Sequence, residues 1–261
     1  MSLIVRGVEL GAGRPAVIVP LTGTDVAELR AQAGAVRAAA PDVVEWRVDL
    51  ATALQGDLDA LAAAGHQVTD ALDGLPLLVT LRTREQGGAA DVGGEEYLEV
   101  LGTLVGAGVA DLVDVELSLP APTRAGAIGL AHDAGVAVVV SHHDWQGTPP
   151  RKELRGLLDD MVAAGADVAK LAVTPRDPDD LLALLRATRE VSERAGVPVI
   201  AVAMGDLGAV VRLAGGVFGS AATFATVGAG SAPGQLDLDI VTAVLDVLHG
   251  EAGPRGSGRH A

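Results

Sequence analysis

At 261 residues, about half of them apolar, the chain is long enough to bury a large core as one large α/β domain or two small ones. A formal charge of -15 and a pI near 4.6 argue against nucleic acid or an anionic membrane surface as partner, so an anionic ligand would need a locally positive pocket. The absence of cysteine excludes disulfides, thiolate metal sites and a cysteine nucleophile. No apolar run approaches the roughly 20 residues that span a bilayer, and no basic region precedes a long apolar stretch at the N-terminus, so no signal peptide is expected and the cytoplasm is the expected compartment.

In chain order, Leu3 to Leu10 with the turn Gly11-Ala-Gly-Arg14 reads as a β-hairpin. Strand patterns follow at Val17 to Leu21, Val43 to Val48, Leu77 to Arg82, Leu112 to Leu117, Ala137 to His143, Val168 to Val173, Val197 to Met204 and Val217 to Phe224. Helical patterns alternate with them at Asp25 to Ala39, Asp57 to Leu72, Glu95 to Val105, Thr123 to Ala134, Lys152 to Ala164, Pro178 to Ala195, Leu207 to Leu213 and Leu238 to Leu248. Asp25, Asp57 and the Asp177-Pro178 pair are helix-start signals. Eight β/α units predict an α/β fold: a (β/α)8 TIM barrel over residues 1–249, its floor closed by the N-terminal hairpin, followed by a flexible glycine-rich tail at 250–261. The competing open doubly wound sheet lacks its marks, since no G-x-G-x-x-G follows the first strand and no Walker-type loop occurs.

Strand alternation sorts the side chains, because i, i+2 and i+4 share a face. Helices cover the outside of a barrel, so Glu45, Arg47 and Asp49 must face inward, as must Asp114 and Glu116, Ser141 and His143, and Lys170; Arg82 ends the third barrel strand. Charges near the C-terminal ends of five strands fall where barrels build active sites. Lys170 is one of only two lysines and sits in the apolar run Asp167-Val-Ala-Lys-Leu-Ala-Val173. An apolar setting disfavours the ammonium form, and a neutral amine attacks carbonyls to form a Schiff base. The plain alternatives are a snorkelling lysine and a buried ion-pair network.

A metal is not expected. His142 and His143 are consecutive strand residues pointing to opposite faces, and no other pair of histidines has ligand spacing. His66, His132, His249 and His260 read as solvated surface, and the Gly228 to Gln235 loop fits a phosphate cradle or a hinged lid equally well.

Taken together, these residues carry a family resemblance. Glu45-Trp-Arg-Val-Asp49, Thr80-Leu-Arg-Thr83 with Gly87-Gly88, Asp114-Val-Glu116, Ser141-His-His-Asp144, Ala169-Lys-Leu-Ala-Val173, Met204-Gly205, Arg212-Leu-Ala-Gly215, Val217-Phe-Gly-Ser-Ala-Ala-Thr-Phe224 and Ser231-Ala-Pro-Gly-Gln235 resemble, in this order, type I 3-dehydroquinate dehydratase of the shikimate pathway. The resemblance implies a hydro-lyase of aromatic amino acid biosynthesis, usually a homodimer, working without cofactor or metal on the small molecule 3-dehydroquinate. It implies that Lys170 forms the imine and that His143 is the general base and acid. It further implies that Arg212, Ser231 and Gln235 bind the substrate carboxylate, and that Glu45, Arg47 and Arg82 line the pocket.

One position departs from the family pattern: Gln86 stands where many members have a glutamate that orients the histidine. Asp114 or Glu116 is the expected source of the missing negative charge. Two other functions compete, a class I aldolase sharing the imine and a silent barrel that binds shikimate-type acids. The carboxylate set argues against the first, and the presence of both lysine and histidine against the second.

Overall fold

The computed structural model describes residues 1–228 and 234–250. Ser231 and the expected tail beyond Gly250 lie outside the described residues. Strands β1 (Leu3–Val5) and β2 (Val8–Leu10) form the antiparallel hairpin. Its turn is Arg6-Gly7 and not Gly11-Ala-Gly-Arg14. A two-residue hairpin turn of type I′ needs left-handed backbone at both positions, and these two residues have φ of +44° and +84°. Gly11 lies in the link to the barrel, at φ +94°, where a Cβ would sit 2.9 Å from the Met1 carbonyl oxygen.

Eight β/α units follow. They are β3 (Ala16–Leu21), α1 (Val26–Ala39), β4 (Val43–Arg47), α2 (Leu58–Leu72), β5 (Leu77–Thr80), α3 (Gly94–Gly106), β6 (Leu112–Glu116), α4 (Ala121–Asp133), β7 (Ala137–Asp144), α5 (Arg151–Ala163), β8 (Val168–Val173), α6 (Pro178–Ser192), β9 (Val199–Ala203), α7 (Ala209–Ala214), β10 (Ala222–Thr226), the two-residue β11 (Leu236–Asp237) and α8 (Leu238–His249). Strands β3 to β10 are parallel neighbours in sequence order, with β10 beside β3. The ring closes between β9 and β10, where the Ala221 N–H donates to the Val199 carbonyl at 2.7 Å and the Ser220 hydroxyl accepts from the Ala201 N–H. The fold is a (β/α)8 TIM barrel with an N-terminal hairpin.

The last barrel strand is not Val217 to Phe224. Gly215–Phe218 form a 3-10 turn ending at Gly219, φ +92°, and the strand begins at Ala222. The alternation of small and bulky residues there resembles a strand, yet the paired glycines turn the chain before it can extend. The third barrel strand ends at Thr80, because the Arg82 carbonyl accepts instead from Ala90 across the following loop.

Local signals explain the helix starts. Asp25, Asp57 and Asp177 accept from the N–H groups of Glu28, Ala60 and Asp180, each cap being worth about 1 kcal/mol. A second set of aspartates works at the barrel floor. Asp42, Asp111 and Asp167 precede β4, β6 and β8, and each carboxylate accepts from the first N–H groups of the preceding strand, at Val17, Leu77 and Val138. They fix strand register at the end opposite the site.

The outward strand residues, among them Trp46, Val79, Val113, Val115, Val140 and Leu171, form the core beneath the helices. The inward residues split by height. Ile18, Val43, Leu78, Leu112, Val139, Val168 and Ile200 fill the lower barrel, with Val5 and Leu10 of the hairpin packed against them. The plug below leaves only the C-terminal mouth for polar chemistry. Among the described residues no helix is long and apolar enough to cross a membrane.

Candidate active site

Above the apolar floor the inward positions become polar, and the strand registers bring them together. Ser141 on β7 lies opposite both Glu116 on β6 and Lys170 on β8, and His143 lies one same-face step above Ser141. Diagonal same-face neighbours of this kind are separated by roughly 7–8 Å. Glu45, Arg47, Arg82, Gln86, His143, Lys170, Arg212 and Gln235 all line one cavity at the mouth. Trp145, Val202, Met204 and Phe224 supply its apolar walls.

Lys170 is only 4 % exposed, but its surroundings are not apolar. Its Nζ lies 3.3 Å from Asp114 Oδ2, 3.7 Å from Glu45 Oε1 and 4.7 Å from the centre of the Phe224 ring. Of the apolar run around it, Ala169, Leu171 and Val173 pack outward under the helices while Val168 and Ala172 share its inward face, and the expected apolar setting is corrected: the amine sits among carboxylates and one aromatic face. Each carboxylate is itself fixed. Thr80 Oγ1 donates to Glu45 at 2.9 Å, and Ser141 Oγ donates to Asp114 at 2.6 Å.

Arg82 ties this layer to the next. It contacts Asp114 at 2.7 Å and Glu116 at 3.0 Å, and it donates to Ser141 Oγ. Burial opposes its charge, but Asp114 and Glu116 outweigh burial and hold it firmly protonated. Burial pushes Asp114 upward, yet Arg82 and Lys170 bring it down to about 2, so it is a carboxylate at any working pH. Glu116 is raised by burial despite Arg82 and the two donors of Thr83. Arg47 is gripped at both ends of its fork by Asp49, at 2.8 and 2.7 Å, which leaves its position set before any ligand arrives.

The His143 imidazole is surrounded by cations. Burial lowers its pKa well below the ordinary value, and Arg82, Lys170 and Arg47 push it the same way. Its Nδ1 is buried without a hydrogen-bond partner. Asp114 and Glu116 do not supply it with negative charge: their oxygens are taken by Arg82, Ser141, Lys170 and Thr83, one layer below the ring. Gln86 does not orient the ring through a side-chain bond either. Its Oε1 accepts from the His143 backbone N–H at 2.7 Å.

Arg212 sits on α7 across the cavity, its backbone held by Thr223 Oγ1, which donates to the Arg212 carbonyl at 2.8 Å. Burial lowers its pKa to about 10, leaving it cationic at neutral pH. It adds a positive charge to a cavity in which Arg47, Arg82 and Lys170 are matched by Asp49, Asp114, Glu116 and Glu45. Gln235, directly before β11, lines the same cavity. Several participants were not singled out as site residues from sequence. Thr80 shares the parity of Arg82 and was recoverable from it. Asp49 was read as inward-facing without its grip on Arg47. Phe224 ends the expected last strand without a charge to mark it as a site residue, and Trp145 carries no periodic signal. Among the described residues no group of three or more histidine, aspartate or glutamate side chains is arranged to hold a metal ion.

A family model for type I 3-dehydroquinase matches residues 17–252. The chain is 42% identical to a 3-dehydroquinate dehydratase of Listeria monocytogenes over 248 residues, which is 95% of this chain and 98% of that one. It superposes on the crystal structure of 3-dehydroquinate dehydratase from Geobacillus kaustophilus with a TM-score of 0.93 and 34% identity, covering 97% of this chain and 98% of that one. A type I 3-dehydroquinate dehydratase from Clostridium difficile, solved with covalently modified comenic acid, gives a TM-score of 0.92 at 32% identity, covering 96% of this chain and 99% of that one.

Proposed function

The chain belongs to the type I 3-dehydroquinase family and is a hydro-lyase that converts 3-dehydroquinate to 3-dehydroshikimate and water; from that premise we propose that Lys170 and His143 carry the elimination through an imine. The observation that carries the reading is the buried Lys170 amine opening into a cavity that His143 enters from the adjacent strand. The Lys170 ammonium first gives up a proton to water in the cavity, with the Asp114 and Glu45 carboxylates beside it. The amine then attacks the C3 ketone, and the carbinolamine hydroxyl takes a proton back and leaves as water to give the iminium. The iminium is again a cation, so the same two carboxylates stabilise it as they did the ammonium. His143 takes the C2 proton, the electrons move to the iminium nitrogen, and the enamine expels the C1 hydroxyl as His143 returns the proton. Hydrolysis of the remaining imine consumes one water and frees Lys170. The net change is loss of one water.

Arg212 and Gln235, with Ser231 of the lid loop, hold the substrate carboxylate in this reading, and Arg47, Arg82 and Glu45 meet its ring hydroxyls. The covalent comenic acid of the Clostridium difficile relative fits a site that bonds to an acid bearing a carbonyl.

A spectroscopic assay for the conjugated enone product tests the activity and, run against pH, the state of the base. His143 must be neutral to accept a proton, and its pKa is depressed below 6.5. As pH falls from 8, kcat/KM is therefore expected to stay level through pH 6.5 and to decline only below it. A half-maximal loss at or above pH 6.5 would show that burial and the three cations do not govern the base.

The same reading includes a homodimer. Val210, Val217, Ile240 and Val247 are exposed on α7, the following turn and α8, and so offer an apolar face on adjoining elements. Sedimentation velocity is expected to give twice the chain mass, and a monomer at micromolar concentration would remove the dimer.

A further inference from the structure

From three contacts around the end of β7, we infer that Trp145 is a positioning residue for His143, acting through Gln86; the inference rests on the reading of His143 as the base. β6 ends at Glu116, and its last rung to β7 is the Leu117 N–H donating to the Ser141 carbonyl. Beyond that rung the Leu117 carbonyl turns away to accept from Arg124. The His143 N–H on that side is therefore left without a strand, and a buried backbone donor needs an acceptor. Gln86 Oε1 takes its place, with Gln86 itself 4 % exposed.

Gln86 belongs to a short 3-10 turn, Arg84–Gln86, whose own backbone bonds run to Thr83, Arg84 and Ala90. Trp145 adds the tie from this turn to the end of β7. The indole Nε1–H donates to the Gln86 carbonyl at 2.9 Å, and the ring packs against Gly87. A Cβ at Gly87 would fall 2.2 Å from the indole Cε2 and Nε1, so only glycine, at φ +82°, admits the ring. The path runs in a closed loop: Trp145 indole to Gln86 carbonyl, Gln86 amide to His143 backbone, and two residues of chain back to Trp145. The β8 ladder holds the His143 backbone on one side, through the His143–Ala172 pair, and this loop holds it on the other side, where β6 has ended; the ring itself has no partner at Nδ1. Lys170, on β8 and held by Asp114 and Glu45, lies outside the loop.

The loop should matter for proton transfer and not for imine formation. Phenylalanine at 145 keeps an aromatic wall and removes the N–H. Trp145→Phe is expected to lower kcat about tenfold, the scale of a small misplacement of a catalytic group. KM is expected to stay within about twofold. The isotope effect with C2-deuterated 3-dehydroquinate should increase, while borohydride trapping of the substrate on Lys170 is undiminished. Gly87→Ala, which drives the ring off the loop, should give the same signature. Trp145→Phe with kcat within about twofold of the parent, or with kcat and trapping reduced together as in a general loosening of the mouth, would overturn the inference. His143→Ala serves as the control. Turnover retained in that variant would overturn the reading of His143 itself. A dead His143→Ala beside a normal Trp145→Phe would overturn only the positioning role.

Discussion

Lys170→Ala is expected to lower kcat by on the order of 10⁵-fold or more, because the covalent route disappears and the remaining residues can only bind substrate. The effect has a structural side as well. Removing the ammonium leaves Glu45 and Asp114 buried with one cation fewer, and breaking a buried pair costs about 3–5 kcal/mol. Asp114 keeps Arg82 and Ser141, and Glu45 keeps Thr80, so the loss stays local and the barrel should still fold. Circular dichroism and the melting temperature separate the two effects. The variant should retain the parent spectrum, melt several degrees lower and still bind the substrate carboxylate through Arg212. Turnover within 100-fold of the parent, by a folded Lys170→Ala protein, would show that the elimination does not need the amine.

His143→Ala should fail later in the cycle. The imine forms, since the amine and its two carboxylates are untouched, but C2 keeps its proton. Loss of a positioned base costs on the order of 10²–10⁴-fold. The distinguishing outcome is accumulation: mass spectrometry of the variant mixed with substrate and reduced should find most of the chain carrying the adduct. A variant that neither turns over nor accumulates adduct would place His143 in imine formation, and one that turns over at the parent rate would remove it from the mechanism.

Strand alternation alone placed Glu45, Arg47, Asp114, Glu116, Ser141, His143 and Lys170 on one face, because a buried parallel strand flanked by helices offers charged side chains only the barrel interior. Three departures from the strand pattern share a cause. Each lies where strand periodicity ends and a turn takes over: Arg6-Gly7 in the hairpin, Gly215–Phe218 before β10, and the loop that carries Gln86. In such segments the conformation is set by which orphan backbone group finds an acceptor, and that depends on residues distant in sequence. Trp145 and Gln86 are 59 positions apart, and nothing in their local patterns announces that one indole N–H joins them. The partner of His143 was misassigned for the same reason. A carboxylate on the neighbouring strand suits a histidine by charge, but Arg82 and Lys170 claim the oxygens of Asp114 first.

The electrostatics also explain how an acidic protein serves an anionic substrate. The carboxylates of the mouth are taken up internally by Arg82, Lys170 and Arg47, while Arg212 faces the cavity from another element. The surface charge of the chain therefore does not describe its pocket.

The most direct measurement is reduction with borohydride during turnover of 3-dehydroquinate, followed by peptide mapping. A single stable adduct on Lys170, absent without substrate and absent in Lys170→Ala, is the expected result. Full turnover with Lys170 unmodified under the same reductant would contradict the imine, and with it the parts that Asp114, Glu45 and His143 play in forming and using it.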